Sequence, residues 1–106
     1  RKPHLFAIKA EGDSMNKAKI DGRNIESGDY VIVDRDKNSP EHGDYVLCVI
    51  NGAANIKRFY KKKDSNIISL ISESSKDYAP IDLHQDDLDE FLINGTVIHV
   101  VKKREF

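Results

Sequence analysis

Two residues of this sequence, Ser14 and Lys57, have side chains that could carry out covalent chemistry together. Ser14 follows Gly12-Asp13 directly after an apolar run, and Lys57 interrupts a second apolar run. A serine hydroxyl becomes an effective nucleophile when a neighbouring base takes its proton. A lysine is such a base only when it is neutral, and burial can lower a lysine pKa from about 10.4 by roughly 3–5 pH units. Local sequence alone also allows a turn serine that caps backbone donors and a solvated lysine on a strand edge.

Short strands separated by turns must hold these two residues in place. Runs of β-branched and aromatic residues predict strands at residues 5–10, 30–34, 45–50, 55–60, 67–71 and 96–101. The Asn51-Gly52 pair is a strong hairpin signal, so Lys57 is expected on the strand that returns from this turn. The continuous apolar run at 45–50 indicates a strand buried on both faces. Because no long amphipathic helix is evident, the pattern predicts an all-β domain.

Four motifs follow one another along nearly the whole chain: KAEGDSM at residues 9–15, SGDYVIVD at 27–34, HGDYV at 42–46 and IKRF at 56–59. This ordered set resembles the LexA-like self-cleaving repressor domain, a group that also includes phage repressors and UmuD-type polymerase accessory proteins. The resemblance implies strongly bent, partly open, β-barrel-like sheets of the LexA and signal peptidase type. It also implies a serine peptidase that acts mainly on its own chain.

The resemblance assigns roles to individual residues of these motifs. Ser14 is implied as the nucleophile and Lys57 as the general base. The backbone N–H groups of Ser14 and Asp13 are implied as the donors that hold the oxyanion. The Asp13 carboxylate is not expected to be catalytic, since Ser/Lys chemistry needs no carboxylate. Met15 is expected in the substrate pocket or in the core.

Several stretches depart from the pattern of the family. Asn55 stands where many relatives carry a threonine, two residues before the lysine, and offers an amide instead of a hydroxyl. Residues 72–74 (Ser-Glu-Ser) stand where a Pro-Glu-Asn motif is common and keep only the glutamate. Residues 16–24 contain an insertion, which we expect as a surface loop or a short helical turn. Residues 82–90 are acidic and are expected to be irregular.

For the histidines, the cysteine, the basic run and the acidic cluster, the sequence favours structural roles over catalytic or ligand-binding ones. No metal-ligand spacing joins the four histidines, which are His4, His42, His84 and His99. Cys48 is expected as a small buried thiol, and the basic run at residues 57–63 as a solvated hairpin rather than a phosphate contact. A solvated face is also expected for the acidic residues Asp86, Asp87, Asp89 and Glu90, which lack the spacing of a calcium loop. We therefore expect no metal and no cofactor.

Composition favours one ordinary domain. The chain has 106 residues, of which 39% are hydrophobic and 33% charged, and this length suits a single core without metal or disulfide. The net charge of −1 argues against a nucleic-acid surface on this domain. A single cysteine permits a reducing compartment, and no apolar run reaches the length of a membrane span. We expect a cytoplasmic protein with no membrane partner.

By resemblance, residues 1–106 are a single peptidase and dimerisation domain of a transcriptional repressor in the SOS, DNA-damage or prophage response. The N-terminal DNA-binding domain and the cleavage segment are expected to be absent from this chain, so DNA would be contacted only through the missing domain. A homodimer is expected, and a RecA-type filament is the implied promoter of cleavage. The implied dimer interface is the last strand: Thr96, Val97, Ile98, His99, Val100 and Val101.

Three alternative functions remain open at this point. The first is a UmuD-like accessory subunit of an error-prone DNA polymerase, which shares the Ser/Lys chemistry. The second is a catalytically silent dimerisation module, against which the presence of both Ser14 and Lys57 weighs. The third and weakest is a type I signal peptidase, since those enzymes are usually anchored in a membrane.

Overall fold

The computed structural model, which describes residues 4–90 and 92–106, is built on one antiparallel sheet of seven strands. The strands are β1 Leu5–Lys9, β2 Tyr30–Asp34, β3 Tyr45–Ile50, β4 Ala53–Lys61, β5 Ile67–Ile71, β6 Ile81–His84 and β7 Leu92–Val101. Their order is β1-β2-β7-β3-β4-β5-β6, so β1 and β6 lie at opposite edges and the sheet is not closed. This confirms the predicted all-β, open fold. No helix in the described part of the chain is long and apolar enough to cross a membrane.

The central strand β3 contributes side chains to two separate hydrophobic clusters. Leu47 packs with Val31 and Val100 on one face, whereas Val46 and Cys48 belong to a second cluster on the other. Because side chains alternate along a strand, a run of apolar residues supplies both faces. The prediction of burial on both faces is therefore confirmed.

Two irregularities shape β7. The register shifts between β7 and β2 so that Ile98 has no partner, and a second shift opposite β3 leaves Asn94 unpaired. Such bulges bend a strand and increase its twist. Gly95 lies within the second irregularity, where an added Cβ would come within 2.6 Å of the Asp34 carbonyl oxygen. The predicted start at Thr96 was wrong because the bulge lets Asn94 and Gly95 remain in a strand that begins at Leu92.

The acidic stretch at residues 82–90 is not irregular, contrary to the prediction. Its first part belongs to β6, in which Leu83 is buried and Ile81 pairs with Leu70 of β5. A 3-10 helix, Gln85–Glu90, follows. Apolar contacts on one face of β6 are sufficient to add this strand to the sheet, although its neighbours along the chain are acidic.

The insertion at residues 16–24 is a loop, but it is not confined to the surface. Ala18 and Ile20 are buried in the same cluster as Val31, and the Lys19 N–H donates to the Tyr45 hydroxyl at 3.0 Å. Each fully buried aliphatic side chain stabilises a fold by about 1.5–3 kcal/mol. These apolar residues therefore fix the loop that follows Ser14.

A buried ion pair joins the end of β7 to the turn before β2. Lys102 is only 4% exposed, and its amine donates to the Asp29 carboxylate and to the Asn24 side-chain oxygen, the latter at 2.8 Å. Asp29 also accepts the N–H groups of Glu26 and Lys103, both at 2.8 Å. Burial alone would raise the pKa of Asp29, but these hydrogen bonds outweigh burial and leave the pKa below its ordinary value.

Candidate active site

Ser14 lies in a tight turn immediately after β1. The Ala10 N–H donates to the Asp29 carbonyl at 2.7 Å, which extends the pairing of β1 up to this turn. Gly12 has φ +84°, a left-handed conformation that favours glycine, and its N–H donates to the Ser27 hydroxyl at 3.3 Å. Among the described residues, no other residue accepts a hydrogen bond from the N–H of Asp13 or of Ser14, although the Asp13 N–H interacts with its own carboxylate. The oxyanion role of these two N–H groups remains a prediction.

A cavity of about 440 Å³ lies beside Ser14. Its walls include the end of β1, the Ser14 turn and the first residues of β4, Ala53 to Ile56. In β4, pairing with β5 begins only at Arg58, so the described residues provide no strand partner on that side of residues 53–57. The cavity is thus bordered by an unpaired strand edge, which can hydrogen-bond an extended peptide.

Lys57 projects from β4 into apolar surroundings and is 9% exposed. Its amine donates to the Ser72 hydroxyl at 2.6 Å and lies 5.9 Å from the centre of the Tyr78 ring. Within residues 4–88 and 93–106, no carboxylate lies within salt-bridge distance of this amine. Burial therefore lowers the pKa of Lys57, and the neighbouring Cys48 thiol opposes this only in part.

The segment 72–78 contacts both the lysine and the serine turn. At its start, Ser72 accepts the hydrogen bond from Lys57, and the next residue, Glu73, donates its N–H to the Met15 sulfur at 3.3 Å. At its end, Tyr78 lies over the Lys57 amine while its hydroxyl donates to the Asp13 carboxylate. Met15 and Asp13 are the two chain neighbours of Ser14. The segment therefore ties the strand of Lys57 to the turn that carries the serine.

Glu73 is the anchor of this segment. Its carboxylate accepts the Tyr45 hydroxyl and pairs with the Arg58 guanidinium at 2.8 Å, and its carbonyl accepts the Lys17 N–H at 2.8 Å. Arg58 in turn lies over the Tyr45 ring, 4.8 Å from its centre. A carboxylate held by charged and aromatic partners has few alternative positions. Glu73 accordingly fixes the residue on its N-terminal side, Ser72, relative to β4.

The structure surrounds Lys57 with residues that the motifs did not imply. The segment 72–78 links Lys57 to the turn of Ser14, but among the described residues no hydrogen bond joins the two residues, and Lys57 binds Ser72 instead. The Asn55 side chain donates to the Ala53 carbonyl at 3.0 Å rather than to the lysine. Sequence reasoning noted residues 72–74 only as a departure from the family motif. The signal that could have identified residues 72–74 was their position directly after β5, the strand that pairs with the strand of Lys57.

The residues implied as a dimer interface occupy different environments. Thr96, Val97 and Val100 are buried within the chain, whereas Ile98 is half-buried and His99 is exposed. From Thr96 to Val101 the strand pairs with β2, while pairing with β3 ends at Thr96. On that second side, the described residues offer no strand partner to Val97 through Val101, although the Arg23 guanidinium donates to the Val100 carbonyl at 3.2 Å. The interface remains a prediction.

Other candidate residues have the following surroundings. Cys48 is buried, which raises the pKa of its thiol to about 11 and makes it a poor nucleophile. His4 lies near Asp34 and Asp36, at 3.8 and 3.7 Å, a grouping that the spacing of the histidines did not predict. The Asp13 carboxylate accepts hydrogen bonds from Lys76 and Tyr78, which lower its pKa and keep it ionised.

Comparison with known proteins identifies the class of this domain. A family model described as Peptidase S24-like matches residues 1–98, and the chain belongs to this family. The all-β open sheet agrees with that membership.

Several curated relatives carry the name LexA repressor. The chain is 33% identical over 99 residues to the LexA repressor of Carboxydothermus hydrogenoformans, covering 93% of the chain and 43% of that protein. It is 36% identical over 101 residues to the LexA repressor of Bifidobacterium adolescentis, covering 94% of the chain and 34% of that protein. The chain therefore spans less than half the length of these relatives.

Proposed function

We propose that this chain is the peptidase and dimerisation domain of a LexA-like transcriptional repressor that cleaves its own polypeptide with a Ser14/Lys57 dyad. The observation that carries the proposal is the environment of Lys57: a buried amine that has no carboxylate partner among the described side chains and is tied through residues 72–78 to the turn of Ser14. Burial without a counter-charge favours the neutral amine that proton abstraction needs. The family and the named relatives support a repressor over a polymerase accessory subunit.

The reaction follows from the roles of these groups. Neutral Lys57 takes the proton of the Ser14 hydroxyl, whose oxygen attacks the carbonyl carbon of the scissile peptide bond. The N–H groups of Ser14 and Asp13 bind the resulting oxyanion. The Lys57 ammonium then gives its proton to the leaving amine, and a water molecule deprotonated by Lys57 hydrolyses the acyl-serine ester.

Proton transfer requires the Lys57 amine to come within hydrogen-bond distance of the Ser14 hydroxyl. Catalytic hydrogen bonds are often long in a substrate-free enzyme and shorten in the complex. The four-carbon stem of a lysine allows this approach, and because the lysine nitrogen can make more than one hydrogen bond, the amine can keep its bond to Ser72.

We propose an extended segment of the protein's own chain as the substrate. Such a segment would lie in the cavity beside Ser14 and pair with the free edge at residues 53–57 of β4. Ala53 and Ala54 are exposed and small, so a peptide backbone can approach them closely. Cleavage would separate this domain from a DNA-binding domain, as expected for an inducible repressor, and a RecA-type filament would be the inducing partner.

We also propose that two copies of the chain associate through the edge of β7 at Val97 to Val101, which pairs with no strand among the described residues and at which Arg23 binds the Val100 carbonyl. In a two-fold dimer the same edge of each copy would face the other. Val100 is fully buried against β2, so its substitution would test folding rather than association. The Ile98→Asp variant is the suitable test, with Ile67→Asp at an exposed position of β5 as the control. Sedimentation should give monomers for Ile98→Asp alone, and an unchanged dimer would place the interface elsewhere.

Self-cleavage of the full-length protein tests the dyad. Incubation at pH 7 and at pH 10 should show faster cleavage at the higher pH, because the neutral fraction of Lys57 increases. Ser14→Ala and Lys57→Ala should each abolish cleavage, while Ser69→Ala on β5 and Lys61→Ala on β4 should cleave as the unmodified protein does. Unchanged cleavage in both dyad variants would refute the proposed function.

A further inference from the structure

The hydroxyl that binds Lys57 belongs to a residue for which the dyad mechanism has no role. Ile71, the last residue of β5, pairs with Arg58, so one further step along the same register places Ser72 opposite Lys57. The amine-to-hydroxyl distance is 2.6 Å, and Ser72 is half-buried. Two neighbouring strands thus bring this hydroxyl to the amine.

We propose that Ser72 is a positioning residue, which holds the Lys57 amine in the orientation from which it accepts the Ser14 proton. This inference rests on the proposed function. Ser72 is suited to the task because a hydroxyl both donates and accepts hydrogen bonds. It can accept from the lysine ammonium and donate to the neutral amine, so it remains bound in both protonation states.

A hydroxyl also leaves the charge of the site unchanged, which a carboxylate would not. A carboxylate beside Lys57 would stabilise the ammonium and raise its pKa. Among the described side chains, the other groups that face the amine are the Cys48 thiol from β3 and the Tyr78 ring from the segment 72–78. With a pKa of about 11 for Cys48 and a raised pKa for Tyr78, both are uncharged at neutral pH. Ser72 is then the group that restrains the amine without charging it.

The restraint extends to the serine turn. Glu73, directly after Ser72, is fixed to Arg58 on the lysine strand and to Met15 beside Ser14. Movement of Ser72 relative to either dyad residue would break these contacts. A lysine side chain loses rotamer entropy when it is fixed, and Ser72 provides that restraint before substrate binds.

The test is the pH dependence of self-cleavage in the full-length protein carrying Ser72→Ala, Ser72→Thr or Ser72→Cys. Ser69→Ala is the matched control, because Ser69 lies on β5 and its hydroxyl donates to Asp82 instead. Ser72→Ala should lower the rate at the alkaline plateau by about tenfold to a hundredfold, the loss expected from misplacing a reacting group. It should also move the midpoint of the pH profile to lower pH, since an ammonium without this acceptor is less stable.

Rescue by a hydroxyl separates positioning from simple packing. Ser72→Thr should restore most of the plateau rate, whereas Ser72→Cys, which preserves the volume but bonds weakly, should behave like Ser72→Ala. A plateau and a midpoint equal to those of Ser69→Ala, in either the alanine or the cysteine variant, would overturn the inference. If Ser72→Ala abolished cleavage while Ser14→Ala retained it, Ser72 would be the nucleophile and the inference would also fail. If neither Ser14→Ala nor Lys57→Ala affected cleavage, the proposed function itself would fail.

Discussion

Two lysines are buried in the part of the chain that the structure describes, and their surroundings are opposite in character. Lys102 is 4% exposed and its amine faces the Asp29 carboxylate, together with the carbonyl and side-chain oxygens of Asn24. Lys57 is 9% exposed and its amine faces a hydroxyl, an aromatic ring and a thiol. The two amines are similarly withdrawn from water, yet only one has a counter-charge.

The contrast shows that the partners of a buried amine, and not burial itself, decide what the amine can do. When a buried ammonium is paired, removing either partner leaves an uncompensated buried charge and strongly destabilises the fold. An unpaired one is destabilised by desolvation, so that its neutral form becomes accessible at lower pH. In this domain the first arrangement holds the end of β7 to the turn before β2, and the second supports the proposed base.

Removing the two amines should have opposite consequences, and the largest effect is expected on catalysis. Lys57→Met retains the aliphatic stem but removes the base, so self-cleavage of the full-length protein should fall by about 10²–10⁴-fold. Lys102→Met should retain cleavage under conditions where it is folded. Rates from gel-based time courses on both variants provide the measurement, and equal losses of cleavage would contradict the assignment of Lys57 as base.

In stability the two variants should rank in the opposite order, so that Lys102→Met loses more unfolding free energy than Lys57→Met. Lys102→Met leaves the Asp29 carboxylate buried without its cation, which costs about 3–5 kcal/mol of unfolding free energy. Lys57→Met removes an amine that is already penalised by burial, so its unfolding free energy should equal or exceed that of the unmodified chain. Urea unfolding followed by circular dichroism measures both. A larger loss for Lys57→Met than for Lys102→Met would show that the comparison is wrong.

Replacing Glu73 tests the anchor that connects the site. Glu73→Gln removes the charge that binds Arg58 and weakens the bond to Tyr45, so we expect a loss of about 1–3 kcal/mol in stability. Cleavage should also slow, because Ser72 and Met15 lose their common support. The control is Glu41→Gln at an exposed position. Stability equal to that of the control would mean that Glu73 does not anchor the segment.

Lowering the pH should destabilise the fold through Asp29, the carboxylate that pairs with Lys102. The pKa of Asp29 is lower in the folded chain than the ordinary value of about 3.9 in the unfolded chain. The unfolded chain therefore binds more protons between these two values, and stability falls as pH decreases through them. Asp29→Asn should lower stability at neutral pH and reduce this acid dependence. If the unfolding free energy of the variant fell with pH below pH 4 as steeply as that of the unmodified chain, Asp29 would not be a source of the acid dependence.

Local pattern was sufficient to predict much of the fold and of the site. Tyr45 to Ile50 could be assigned as a doubly buried strand because apolar residues occupy every position. The hairpin at Asn51-Gly52 correctly placed Lys57 on the returning strand β4. The start of β7 was missed because Gly95 usually signals a turn, whereas here it allows a close approach to β2.

The residues around Lys57 could not be predicted in the same way. Ser72 contacts the lysine only because β5 pairs with β4 in a particular register, and Tyr78 reaches Asp13 across a loop without periodicity. The pairing of Asp29 with Lys102 links positions that are 73 residues apart in the chain. Such contacts depend on tertiary structure, and no local pattern encodes them.

The central claim is that the Lys57 amine loses its proton more readily than an ordinary lysine. Nuclear magnetic resonance of the domain with labelled lysine side chains measures this directly, with Lys57→Met used to assign the signal. We predict a titration of Lys57 clearly below pH 10.5, the ordinary value for lysine. A Lys57 signal that remains that of an ammonium up to pH 10.5 or above would contradict the account.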